Sequence, residues 1–180
     1  GCARNAPIVL HTPVEKYVHM DPSFSGIEAT TINNALTEWS AVTEKNVIWE
    51  YDVWPVVTNQ IEIRSQAEIE YGFCRKHLLM IRALSSDSQV QEIQETTNSR
   101  ISGYAQNSEE QCGMEYILLV MDTIYTSERL RLVTLHEVGH NLGLKHNSEF
   151  SIMNSRLMND AKGITLYDLD RFCEMWNCHY

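Results

Sequence analysis

No stretch of this chain approaches the roughly 20 consecutive apolar residues that a membrane-spanning helix requires. Internal repeats, low-complexity runs and linker-like segments are also missing, so the 180 residues read as one compact domain, 1–180. Positive charge is scarce: 14 Lys and Arg stand against 24 Asp and Glu, a formal net charge of −10. That balance argues against nucleic acid as a partner, because binding phosphates needs a basic face. Proline is sparse too, at 4 residues, and Pro7 and Pro13 bar a helix from the segment around them. What remains is an ordinary globular composition, 43% hydrophobic and 9% aromatic, in a chain long enough to bury a core without relying on disulfides.

Histidine is distributed unevenly. The chain has 7, and His136, His140 and His146 fall within the stretch HEVGHNLGLKH. A helix over about 127 to 142 projects His136 and His140, four apart, from one face, where a single zinc ion accepts both imidazoles. Glu137 then points to the side of that pair, placed to take a proton rather than to ligate. Gly143, three residues past His140, supplies the left-handed residue at which a helix stops and turns. The turn brings His146 back as a third ligand. Three neutral nitrogen donors leave the fourth zinc position open, which is the layout of a catalytic site; a structural zinc would be closed by four protein ligands, usually including Cys, and no cysteine lies nearby. The competing reading, a histidine-rich helix surface, accounts for H-E-x-x-H alone far better than for the full pattern.

The whole pattern, followed by Ser151-Ile152-Met153-Asn154, resembles the metzincin zinc endopeptidases and their methionine turn. The likeness is strongest over His136 to about Tyr167, and within the metzincins it is nearest to the matrixins and their small bacterial relatives. It implies one catalytic zinc held by His136, His140 and His146, with Met153 beneath it as a hydrophobic base. It further implies a zinc-held water activated by Glu137, and an extended substrate paired with the edge Gly103-Tyr104-Ala105. Asn154, Ser155 and Arg156, just past the turn methionine, are candidates for the pocket wall. The chain departs from the matrixin pattern in three places. Asn147 stands where those proteins usually carry Ser. Ser155-Arg156-Leu157 replaces Pro-x-Tyr. Of a structural-zinc histidine array only His19-Met20-Asp21 is present. No tyrosine stands two places after Met153, so the tyrosine ligand of astacins and serralysins is not expected.

Cysteine adds a compartment argument. With 5 cysteines, two disulfides and one spare thiol is the simplest oxidised arrangement. Cys173 and Cys178 are close enough to close a small loop, leaving Cys74 and Cys112 for each other; free thiols in a reducing compartment are the alternative. Cys2 has three readings: a lipid-attachment site giving an N-terminal anchor, a thiolate that blocks the zinc, or a disulfide partner. The blocking reading fits least well, since Pro7 to Leu10 already reads as a strand. The chain opens Gly1-Cys2 without an apolar leader, so an export signal is expected to lie outside it, and a secreted or cell-surface/periplasmic location is expected.

Along the chain, Pro7 to Met20 reads as extended, and Ser25-Gly26-Ile27-Glu28 as a capping box. The box opens a helix whose apolar stripe is Ile32, Ala35, Leu36 and Trp39. Val47 to Val53, Gln60 to Arg64 and His77 to Leu84 read as strands, with His77 at an exposed strand end. Asp87 to Asn98 is a short helix or a loop. Arg100 to Gln106 and Glu115 to Asp122 are further strands. Ser127 is expected to cap the zinc helix, and Thr165-Leu166-Tyr167-Asp168 to open a C-terminal one. The expected fold class is α/β (α+β): a mixed twisted sheet with a backing helix, a zinc-binding active-site helix, a Met-turn and a C-terminal helix.

The function expected from these residues is zinc-dependent hydrolysis of peptide bonds in extended protein substrates, by a monomer. Two alternatives stand beside it. A catalytically silent binding module of the same fold has no use for Glu137. A zinc hydrolase of non-peptide amides would need a closed pocket in place of a long cleft.

Overall fold

A computed structural model describes residues 13–51, 76–110, 113–156 and 161–179. The expectations for Cys2, for Pro7 to Leu10, for the Gln60 to Arg64 strand, for the Cys74–Cys112 pair and for Leu157 lie outside those residues.

The described chain runs β1 (Val14–Met20), α1 (Gly26–Val42), β2 (Val47–Tyr51), β3 (His77–Ala83), α2 (Ser88–Thr97), β4 (Gly103–Gln106), β5 (Met114–Val120), α3 (Ser127–Asn141) and α4 (Leu166–Trp176). The strands form one mixed sheet in the order β2-β1-β3-β5-β4. All neighbours are parallel except β4, which runs antiparallel to β5 and forms one edge among the described residues. This is the expected mixed α/β class.

The first helix follows its sequence signals closely. Ser25 accepts a bond from the Glu28 N–H while the Glu28 carboxylate accepts one from the Ser25 N–H, the reciprocal cap expected from the pattern. Ile32, Ala35, Leu36 and Trp39 are buried along its inner face. They meet Val18, Leu78, Met80, Ile117 and Leu119 from the sheet and Val133, Leu135 and Val138 from α3 in one apolar cluster. Period-two alternation turns Leu118 and Val120 of β5 to the opposite face, where Val90 of α2 covers them. A fork of bonds from Arg131 on α3 to Glu38 on α1, at 2.8 and 2.7 Å, sets the two helices side by side.

Several expectations are corrected. His77 is only 3% exposed. Its strand lies between β1 and β5, so neighbours flank even its first residue, and His77 bonds to His19 at 2.8 Å and stacks on Tyr17. The apolar run identified the strand but carried no information about its place in the sheet. Of the two readings of 87–98, helix or loop, the helix is the one observed: Ser88–Thr97, closed by Asn98 in the left-handed region at φ 51°. The strand expected from Arg100 starts only at Gly103, and β5 gives way at Met121 to a single 3-10 turn. The cap of α3 is Thr126, one residue earlier than expected; its side chain accepts the Arg129 N–H, while Ser127 is already helical.

Candidate functional site

His136 and His140 occupy the last two turns of α3, and the way that helix ends delivers the third histidine. Gly143 adopts φ +98°, a conformation open to glycine at little cost. Around it the Gly143 N–H bonds to the His140 carbonyl and the Leu144 N–H to the Gly139 carbonyl, both at 2.9 Å. This paired closure ends the helix and reverses the chain. His146 then lies with its Nε2 3.0 Å from Nε2 of both His136 and His140.

The other ring nitrogens determine what this cluster can hold. Nδ1 of His136 bonds to the Ile152 carbonyl at 2.7 Å and Nδ1 of His140 to the Leu144 carbonyl at 2.8 Å. A carbonyl only accepts, so both Nδ1 atoms carry protons and both Nε2 atoms present lone pairs to the centre. His146 has at most one Nε2 proton to share between them. A shared cation resolves that conflict. Nitrogen donors about 2.0–2.1 Å from a tetrahedral zinc lie ~3.3 Å apart, near the spacings seen. Charge points the same way: burial pulls His136 down to about 4, and it lowers His140 as well, which keeps both rings neutral and able to ligate. The donor set therefore fits zinc.

Glu137 sits beside the triad rather than in it. One carboxylate oxygen is 3.9 Å from Nε2 of His136, and the other is buried without a hydrogen-bond partner. Burial raises this carboxyl to about 8. A carboxyl beside the triad with an unpartnered oxygen is placed to take and return a proton.

Met153 is 1% exposed and lines a cavity beside His146. A Cβ on Gly139 would fall 2.3 Å from its sulfur, so the glycine inside the H-E-x-G-H run is what admits the turn. Asn147, which departs from the matrixin pattern, is fully engaged. Its N–H bonds to the Met153 carbonyl at 3.2 Å, and its side chain reaches Ser151 at 3.0 Å and the Glu149 N–H at 3.0 Å.

The candidate substrate contacts divide. On β4, a Cβ at Gly103 would come within 2.7 Å of Glu137 Cγ, so the edge strand lies directly against that side chain. Ala105 packs with the cluster containing α3, whereas Tyr104 turns to the opposite face and pairs with Tyr116. Asn154 is buried, its amide bonding to the Glu149 carbonyl and its oxygen accepting the Arg156 N–H, both at 2.9 Å. Ser155 and Arg156 are exposed. A cavity of about 460 Å³ opens beside His146, with Lys145, Met153, Tyr167, Arg171 and Met175 among its walls.

Asp168 was legible only as a helix cap. It caps α4, but its buried carboxylate also accepts the Ile152 N–H at 2.9 Å and bonds to the Ser151 hydroxyl. Ile152 is the residue whose carbonyl holds His136. The C-terminal helix thus holds the turn around Met153, and the turn holds His136. The Cys173–Cys178 disulfide closes the end of that helix as expected.

The comparisons agree with this geometry. Residues 119–166 match the sequence model of a family described as Met-zincin. The fold resembles the crystal structure of metalloproteinase-II from Bacteroides fragilis, with a TM-score of 0.53 and 14% identity over 94% of this chain. The chain spans 55% of the length of that protein. It also resembles archaemetzincin from Methanopyrus kandleri, with a TM-score of 0.50 and 12% identity, over 89% of this chain and 94% of the other. No curated protein matches the chain. The domain is metzincin-like in fold, and the family match and the histidine triad together support a zinc metallopeptidase in general terms.

Proposed function

We propose that the chain is a zinc endopeptidase that cleaves extended protein or peptide substrates. The observation that carries this reading is the pairing of three converging ring nitrogens with a buried carboxyl that is raised to about 8 and has an unpartnered oxygen. Zinc, when bound by His136, His140 and His146, polarises a carbonyl and makes water acidic enough to attack near neutral pH.

The rest is the work of the chain's own residues. Glu137 accepts the proton from the attacking water and passes it to the departing amine, a role its place beside the triad and its unpartnered oxygen allow. The backbone of β4, an edge beside Glu137, pairs with an extended substrate, while Tyr104 contributes no side chain to the cleft. The cavity beside His146 takes a substrate side chain. Ser155 and Arg156 line the exposed continuation, and Asn154 shapes the turn from within. The nearer likeness to matrixins rests on the motif residues alone. A secreted or cell-surface/periplasmic location belongs to the same proposal, supported by the Cys173–Cys178 bridge.

Glu137→Ala is expected to bind zinc and stay folded while turnover of a peptide library falls at least ~10²-fold. His140→Ala is expected to lose the metal, as elemental analysis would show. Substantial cleavage by Glu137→Ala, or a wild-type protein that cleaves equally well in a zinc chelator, would overturn the reading.

A further inference from the structure

The first two proposed metal ligands are held by backbone carbonyls outside α3, His136 by Ile152 and His140 by Leu144. A separate polar cluster, buried at Lys16, Glu115 and Asn141 and exposed at Asn107, meets the last turn of α3 and has no part in the chemistry above. Lys16 of β1 and Glu115 of β5 are 4% and 1% exposed, and they reach each other across β3 with Nζ 2.8 Å from Oε1. The remaining two ammonium protons go to Asn141, the last residue of α3: its carbonyl at 3.0 Å and its side-chain oxygen at 2.9 Å. The Asn141 amide donates to Glu115 at 3.2 Å and to the Asn107 side-chain oxygen at 3.2 Å. Asn107 in turn donates to the backbone carbonyl of His140 at 2.8 Å. The second Glu115 oxygen accepts the Ser108 N–H at 3.1 Å and lies 3.9 Å from Lys76. Every donor of the Lys16 ammonium is used.

Two physical points make this more than a packing detail. A helix leaves its last carbonyls unpaired and carries partial negative charge there, which a cation relieves. The only basic group in the last turn of α3 is His140, and it cannot serve, because a ligating imidazole must be neutral. Lys16 supplies the charge from another element, with Glu115 neutralising it. Secondly, a buried ion pair is seldom worth its desolvation as stability alone, and apolar replacements are often as stable. Burial does lower Lys16 from its ordinary pKa, with Glu115 opposing the shift.

We propose that Lys16, Glu115, Asn141 and Asn107 are positioning residues for the metal centre: they clamp the end of α3 to the sheet and thereby fix the His140 ring and the turn to His146. The inference rests on the zinc reading above. The clamp acts on the backbone of residues 140 and 141, whereas the Asp168 tether acts on His136, so the two devices hold different ligands.

The test compares wild type with Asn107→Ala and with the double variant Lys16→Met/Glu115→Leu, which removes both buried charges together. Zinc affinity is read by competition with a chromophoric chelator, folding by circular dichroism and urea midpoint, and the site itself by the spectrum of the cobalt(II)-substituted protein. Zinc affinity is expected to fall about 10-fold in Asn107→Ala and towards 100-fold in the double variant. The cobalt bands should change, and kcat should fall more than KM rises. A cluster that only stabilises the fold would move the urea midpoint and leave zinc affinity and the cobalt spectrum of the folded protein as in wild type, and that result overturns the proposal. Asn107 is exposed, so its variant decides the matter even where the double variant does not fold. A wild-type protein that binds no zinc overturns the underlying reading, and this one with it.

Discussion

At Glu137 the chemistry depends on a few ångströms of packing. Its carboxyl is held between the triad and β4, and the close approach of that strand is possible because residue 103 has no side chain. A Cβ there would meet Glu137 Cγ at 2.7 Å and Val133 Cγ1 at 2.9 Å. The Glu137 side chain is buried, so it has little room to yield. Gly103→Ala is therefore expected to push the base off its line to the substrate and lower kcat at least ~10-fold, since a displacement near 1 Å is costly to catalysis. Zinc content should be unchanged, because no ligand is touched, and stability should fall by about 1–3 kcal/mol from overpacking. Steady-state kinetics and metal analysis on the purified variant check this. Full kcat would show that β4 does not set the position of Glu137.

Among the elements, α3 carries His136, His140 and Glu137, the two proposed ligands and the proposed base, but its neighbours decide where they point. The Met-turn is fastened to α4 through Asp168 and to the His146 loop through Asn147, and the carbonyl of Ile152 closes on His136. Asp168→Asn keeps the shape of the side chain while replacing one acceptor with a donor facing the Ser151 hydroxyl or the Ile152 N–H. The loss of a charged buried acceptor is expected to cost about 1.5–3 kcal/mol in urea unfolding. Zinc affinity is expected to weaken ~10-fold, as when a ligand's outer partner is lost. A lowered urea midpoint with wild-type zinc affinity would mean that the turn does not orient His136.

For the molecule as a whole, the site opposes stability when no metal is bound. Glu137 has a pKa of about 8 folded against 4.5 in the open chain. Between those values the folded state keeps a proton that the unfolded chain has released, so stability declines as pH rises from 4.5 to 8. His136 acts in the opposite sense. At about 4 folded against 6.5 unfolded, it lets the unfolded chain take up a proton first, and stability is lost as pH falls from 6.5 to 4. Chelator-treated Glu137→Gln should thus exceed the parent protein in stability by a few kcal/mol near pH 8, with the gap closing towards pH 4. Urea midpoints across that range measure it. A gap that does not change with pH would show that the carboxyl is not held neutral by burial.

Local signals in the sequence were enough for the features whose causes are local. The spacing of His136, His140, Gly143 and His146 is a statement about one helix and one left-handed residue, and the reciprocal caps at Ser25/Glu28 and Thr165/Asp168 each involve four consecutive residues. Such features survive translation into three dimensions because helix geometry alone determines them. What the tertiary structure decided depends on residues far apart in the chain. His77 is buried because β3 lies inside the sheet. Tyr104 turns from the cleft while Gly103 faces Glu137, which follows from the register with β5. Lys16 meets Asn141 across 125 positions and Asp168 meets Ile152 across 16. A side chain's type sets which bonds it can form, but only the folded chain places a partner for a buried ammonium or carboxylate within reach.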